Sequence, residues 1–436
     1  MDAKEAKKKA NRVLIAGLLS NFSVGILYTW SNIKDAIEYT MVPGTNERMY
    51  AAWDIADLNW PYSVGGMVFA AILIFAGTLQ DKIGPKKVML MGIVMVGLGT
   101  IVSGLVVKSP LAFIIAFGVV VGAGIGFVYA CPRPAAMKWF HPSKKGMING
   151  VVVAGFGLGA VWLGPLQVYF LESVGLSLTQ TLMVLGGLIL AIGIPCALNV
   201  VDPPKGYVPP VPEGYDPSKS KVATNSPSVA LSTTAKTPQA WTLLVIYAFM
   251  CSAGALVISN ATDLMRIQTG GAESQYAAIV AGILVFMVPL TAVSNATGRA
   301  SGGILSDKIG RKQAYFIMHA IAALNMLGFY FLYTTPTLVV IGIILACVTY
   351  GTTLSITPSI VADYFGLKNY GANYGLVYYG WGLSLIIGPQ ISQMAKGATG
   401  NYDFAFLAAV VLIAISAILV ATLKQPKFTP EQIVAE

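Results

Sequence analysis

Charge is what this chain has least of. Only 11% of its 436 residues are Asp, Glu, Lys or Arg, less than half the share of roughly a quarter that is usual in soluble domains. With 56% hydrophobic residues, that excludes a water-surrounded globule. Histidine is nearly absent: His141 and His319 are the only two, too few and too scattered for a metal site. Cys131, Cys196, Cys251 and Cys347 each fall in an apolar stretch without zinc-like or disulfide-like spacing and read as small core residues. Paired acids, a nucleophile beside a base and a metal cluster are all missing, so no enzymatic chemistry, cofactor or metal is predicted. The net charge of +9 is gathered in short loops and the N-terminal stretch. That pattern reports membrane orientation and argues against nucleic acid as a partner.

Long apolar runs are what the chain has instead. Twelve segments of about twenty residues each suffice to cross about 30 Å of hydrocarbon. They fall near 13–34, 61–80, 88–107, 110–131, 147–170, 178–200, 240–262, 276–303, 314–333, 336–360, 371–394 and 402–423. The fold class is therefore an all-α membrane protein. The first run is interrupted by Ser20, Asn21 and Ser23 and no small-residue cleavage site follows, so it is expected to be a retained span rather than a signal peptide. Alternate loops carry the lysines: Lys4, Lys7, Lys8, Lys9 and Arg12, then Lys82, Lys86 and Lys87, then Lys138, Lys144 and Lys145, then Lys308, Arg311 and Lys312. The other loops hold Asp35, Glu38, Glu47, Asp54 and Asp57, then Glu172. The positive-inside rule puts both termini in the cytoplasm of a multi-pass protein of the cell's inner (plasma) membrane. The stretch 201–239 is rich in Pro, Ser and Lys and is expected to be a flexible cytoplasmic tether. It separates an N-terminal six-helix bundle, 1–200, from a C-terminal one, 240–436.

The two halves repeat one another. Gly77-x-Leu79-x-Asp81-Lys82-Ile83-Gly84 returns as Gly303-x-Leu305-x-Asp307-Lys308-Ile309-Gly310, an offset of 226 residues. Trp139-Phe140 and Gly155-Phe156-Gly157 return as Tyr364-Phe365 and Gly380-Trp381-Gly382, and Gly164-Pro165 as Gly388-Pro389. Matches at nearly one offset imply a duplicated six-span unit whose halves are related by an axis along the membrane normal, with a ligand site between them near the midplane. Asp81, Lys82 and Gly84, with Asp307, Lys308 and Gly310, form tight turns between spans. They are expected to act as conformational latches. Gly155, Gly157 and Gly159, with Gly371, Gly375, Gly380 and Gly382, let helices approach closely.

Arg299 lies deep in the eighth segment. An arginine at mid-membrane costs about 2.5–3.5 kcal/mol on the translocon scale, so it faces protein interior or a watery path. Its partner is either an acid on another span or an anionic ligand; no acid lies within two turns on its own segment. A planar guanidinium grips a carboxylate through two parallel hydrogen bonds, which lysine cannot do. Asn295, one turn earlier, shares its face. The repeat-equivalent position in the first half is Leu73, so the cation breaks the symmetry.

Over essentially its whole length the chain resembles the major facilitator superfamily, through the loop motif present in both halves. Gly25-Ile26-Leu27-Tyr28-Thr29-Trp30-Ser31, Lys138-Trp139-Phe140-His141-Pro142, Pro203-Pro204-Lys205-Gly206-Tyr207, Thr237-Pro238-Gln239-Ala240-Trp241 and Asn295-x-x-Gly298-Arg299 further resemble the oxalate:formate antiporter family, a branch akin to monocarboxylate transporters. The resemblance implies that Arg299 binds a carboxylate and that Tyr28, Tyr129 and Tyr350 wall a central cavity. Members exchanging the oxalate dianion carry a lysine in the eleventh span where this chain has Trp381. One central cation suits a monoanion better, unless Arg133, one turn from Tyr129, supplies a second charge; Arg133 is expected to line the cytoplasmic mouth. The expected partners are the lipid bilayer, a small organic monocarboxylate (lactate-, pyruvate- or formate-like) and a proton or counter-anion. The function so implied is secondary active transport by alternating access, with proton-linked movement ahead of oxalate:formate-type exchange. A transporter-like nutrient sensor is a remoter third reading.

Overall fold

The computed structural model describes residues 3–141, 145–204, 206–211, 228–366 and 369–433; the side chains of 3, 74, 78, 81, 145–147, 149, 150 and 307 are outside that description. The expected latch carboxylates Asp81 and Asp307, and most of the middle of the linker, therefore lie outside the described residues.

Among the described residues, twelve long helices form the framework. They are α1 Lys4–Tyr39, α2 Trp60–Ile83, α3 Pro85–Leu105, α4 Pro110–Met137, α5 Lys145–Val168 and α6 Leu178–Asn199. After the linker come α7 Pro238–Ser259, α8 Met287–Ile309, α9 Arg311–Phe331, α10 Pro336–Phe365, α11 Tyr370–Thr399 and α12 Asp403–Thr422. Proline at the first turn of α3, α7 and α10 pre-sets the helical φ where no N–H partner is lost. Gly84 and Gly310, at the same place in the two repeats, both take positive φ, 86° and 93°, a conformation that favours glycine. A short helix Ala277–Leu284 precedes α8 and meets it at a 61° bend; Pro289, in the first turn of α8, has no N–H to bond back across the break. Large apolar side chains stay exposed along α3 (Leu98, Leu105), α9 (Leu324, Phe331) and α12 (Val411, Ile418), as expected of spans that face lipid.

Within each half the helices pack on one another, and two seams join the halves: α2 with α11, and α5 with α8. Under the repeat, α2 corresponds to α8 and α5 to α11, so the seams are copies of each other, as a duplicated unit requires.

Two expectations are corrected. Asp35 and Glu38 are not loop residues: α1 runs on to Tyr39, and Glu38 is buried. The described ends of the linker are not loose either. Tyr207 packs on Trp139 with ring centroids 5.2 Å apart, Trp139 donates its indole N–H to Val201 O at 2.8 Å, and Lys138 pairs with Asp202 at 2.9 Å. At the far end, Asn369 and Asn373 donate to Val229 O at 3.2 and 3.0 Å. The Trp139 and Tyr207 motifs are thus two sides of one contact.

Candidate functional site

Arg299 sits midway along α8, half-buried, where α8 is pressed against α10. Gly298 and Gly351 make that approach possible, because a Cβ on either would fall on backbone of the facing helix. Ser355 and Thr352 then reach across, donating to Arg299 O at 2.6 Å and Gly298 O at 3.0 Å. The guanidinium is aimed at the seam. Its Nε donates to Asn295 Oδ1 at 3.0 Å and one terminal nitrogen donates to the Tyr28 hydroxyl at 3.3 Å. Among the described residues Arg299 forms no ion pair.

Tyr28 comes from the other half. It lies in a short 3-10 turn, Gly25–Thr29, that interrupts α1. At Gly25 an added Cβ would come within 2.7 Å of Gly159 on α5, so the turn exists where α1 and α5 touch backbone to backbone. Around the cation lies an aromatic box. Phe69 contacts Tyr129, Trp381 and Phe156 edge-on at 5.2, 5.3 and 5.6 Å; Phe156 meets Tyr28 and Tyr129, each at 5.3 Å. Tyr378 stacks on Trp381 at 4.9 Å, and the Trp381 indole donates to the Tyr350 hydroxyl at 2.6 Å. All six expected site residues, Arg299, Asn295, Tyr28, Tyr129, Tyr350 and Trp381, therefore join one cluster contributed by both halves. Phe69, Phe156 and Tyr378 belong to it too, and the sequence offered only a repeat match for Phe156.

Arg133 lies toward the lysine-rich end, its guanidinium carbon 4.5 Å from the centre of the Tyr129 ring. Its Nε is buried without a partner. Of the expected latch residues, Lys82 and Lys308 are exposed. Arg311 pairs with Asp363 at 3.1 Å.

Sequence reasoning overlooked the acidic end, where the polar contacts between halves gather. Lys34 of α1 is fully buried against Asn260, Asp263 at 3.4 Å, Gln393 at 3.3 Å and Tyr402 at 3.1 Å. Lys396 of α11 reaches Glu38 and Asp263, each at 2.5 Å. Arg266 pairs with Asp35 at 2.9 Å, Asn59 donates to Pro389 O at 3.0 Å, and Gln390 to the Ser63 hydroxyl at 3.1 Å. A cavity of about 520 Å³ opens beside this seal, lined by Asn32, Asp35, Tyr39, Glu172, Thr262 and Arg266 among others. The cation on its wall, Arg266, is paired with Asp35, whereas Arg299 has no ion-pair partner among the described residues. Among the described residues no group of His, Cys, Asp or Glu is arranged to hold a metal ion.

The family model described as Major Facilitator Superfamily matches residues 13–333 and 290–435. The chain is 27% identical to the transporter YhjX of Escherichia coli (strain K12), over 86% of this chain and 85% of that protein. It is 24% identical to the oxalate:formate antiporter of Oxalobacter formigenes, over 93% and 88%. Among solved structures it resembles a bacterial homolog of the human lysosomal transporter Spinster, inward-facing and occupied, with a TM-score of 0.64, 16% identity and coverage of 97% of both chains.

Proposed function

The chain belongs to the Major Facilitator Superfamily, a family of transporters and not enzymes, and from that premise we propose that it carries a small organic monocarboxylate across the membrane, with Arg299 as the carboxylate's anchor. The observation that carries this reading is the guanidinium at mid-span, without an ion-pair partner among the described residues and oriented by Asn295 of its own helix and Tyr28 of the opposite half. A fixed cation there is stable only if something offsets its desolvation, and a carboxylate taking the remaining N–H groups does so bidentately. The aromatic walls supply apolar surface for the carbon skeleton of a small acid. Holding the ligand through residues of both halves lets it be released when the halves rock apart on either side, provided affinity differs little between the two states.

With the lysine-rich end in the cytoplasm, the seal of Lys34, Asp263, Lys396 and Glu38 faces outward. Among the described residues no carboxylate stands beside Arg299, so the proton of a symport cycle travels on the acid itself or on a group outside the central cluster. Exchange is the second reading, favoured by one observation: Arg133 sits over the ring of Tyr129, one wall of the box, and is a candidate second cation for a dianion. The named activity of the Oxalobacter formigenes relative has that chemistry.

Uptake of labelled lactate, pyruvate, formate and oxalate into proteoliposomes separates them. Monocarboxylate uptake driven by an inward proton gradient is the expected result; uptake of oxalate alone, and only into preloaded vesicles, overturns it in favour of exchange. Within the site, Tyr28→Phe removes a hydroxyl and leaves the ring. The loss of one hydrogen bond to a charged group is expected to weaken apparent affinity by about tenfold, and an unchanged KM would remove Tyr28 from the site.

A further inference from the structure

We propose that Lys34, Glu38, Asp263 and Lys396 form a partner-exchange gate, in which two ion pairs that cross between the halves when the acidic end is shut are replaced by one pair inside each half when it opens. The proposal rests on the alternating-access reading but not on any substrate assignment.

The four side chains are 0 to 7% exposed and carry two positive and two negative charges. Lys34 and Glu38 belong to α1; Asp263 follows α7 in the helix Ala261–Gln268, and Lys396 lies on α11. In the shut state Lys34 meets Asp263 at 3.4 Å and Lys396 meets Glu38 at 2.5 Å, so both contacts tie one half to the other. Parting the halves would strand four charges, were it not for two further features. Lys34 and Glu38 stand four residues apart on one helix, the spacing at which opposite charges pair. Lys396 and Asp263, both in the second half, are already in contact at 2.5 Å. Each half thus holds a neutral pair of its own and opens without an uncompensated charge.

The surroundings fit an equilibrium that must swing both ways. Buried ion pairs nearly break even unless their remaining hydrogen bonds are met. Here most are: Asp263 accepts from the hydroxyls of Tyr39 at 2.6 Å and of Tyr402, and Lys34 also has Asn260, Gln393 and Tyr402. Glu38 Oε2 and Gln393 Nε2 are buried without partners, which keeps the shut state from becoming a trap. The third cross-half pair, Arg266 with Asp35, is more exposed, 34% and 18%, and is worth little as a lock.

The test reads the gate without transport. Spin labels at Glu47 and Ala398, exposed positions on opposite halves at the acidic end, report shut and open populations by pulsed electron–electron distance measurement in lipid nanodiscs. The double substitution Lys34→Glu with Glu38→Lys keeps the α1 pair, in the more favourable order for a helix, but makes both cross-half contacts like-charged. It is expected to move the open-to-shut ratio at least about tenfold toward the longer distance. Adding Asp263→Lys and Lys396→Asp restores attraction at every contact and should return the shorter distance. Lys34→Gln with Glu38→Gln, which leaves no charge stranded in either half and is the mildest variant to fold, should shift the ratio the same way by a smaller amount. A wild-type distribution in both double variants, or a fourfold variant that stays open, overturns the gate. Because no ligand is present, neither result depends on which acid is carried.

Discussion

Replacing Arg299 by lysine is expected to lower transport by roughly 30- to 150-fold while leaving insertion and folding intact, the loss of about 2–3 kcal/mol that follows when a bidentate charge-assisted contact is reduced to a single point contact. Lysine keeps the charge, so general electrostatic attraction persists. What it loses is the planar fork: one edge is held by Asn295 and Tyr28, leaving the other edge for the ligand. An ammonium turned toward those same two oxygens presents no fixed second donor pair. The check is initial uptake in proteoliposomes beside the elution profile of the purified protein. A monodisperse lysine variant with wild-type uptake would remove Arg299 from the site. Loss of monodispersity would instead mark Arg299 as a packing residue, and Arg299→Gln, which preserves the hydrogen bond to Asn295, would then distinguish the two roles.

Much of the architecture is legible before any coordinates, because an apolar run long enough to span hydrocarbon has few alternatives. The sixth segment, expected at 178–200, is the helix Leu178–Asn199, and the twelfth, expected at 402–423, is Asp403–Thr422. Arg299 and Asn295 are legible for the same local reason, since residues four apart on a helix share a face. The misreadings have two causes. The first segment was expected to end at Lys34 because Asp35 and Glu38 interrupt the apolar run, yet α1 continues to Tyr39. Glu38 is tolerated in the interior because Lys396 lies 358 positions away in sequence and beside it in space, and Asp35 because Arg266 of the other half pairs with it. No window of sequence carries that information. Phe69 and Tyr378 were missed differently: an aromatic residue in an apolar span looks the same whether it faces lipid or lines a site, and only the packing of α2 against α11 decides. A rule does emerge for finding such gates. Lys34, Glu38, Asp263 and Lys396 each stand within about two turns of the same end of a span, two of each sign, and a balanced set of that kind at one membrane face is a candidate seam between halves.

Trp381→Lys should then shift preference from monocarboxylates toward oxalate by tenfold or more, although total transport falls. The side chain is buried, stacked on Tyr378 and set edge-on to Phe69, so its removal costs packing of the order of 3–5 kcal/mol that repacking recovers only in part. Absolute rates are therefore a poor measure, and the ratio of oxalate to formate uptake is the one to read. A second cation some 6 Å from the free carboxylate of a bound dianion adds roughly 2–3 kcal/mol at an effective dielectric of about 20, and desolvation of the ammonium takes back part of it. Formate, whose single charge is held by Arg299 farther from the new ammonium, gains less. The Tyr350 hydroxyl, left by the Trp381 indole, becomes an acceptor that steadies the new ammonium. If the ratio does not move, Trp381 stands outside the ligand's reach, and discrimination against dianions must come from elsewhere. Arg133→Gln decides that case: loss of residual oxalate uptake in that variant alone would make Arg133 the second cation, reaching the box from the lysine-rich end over the Tyr129 ring.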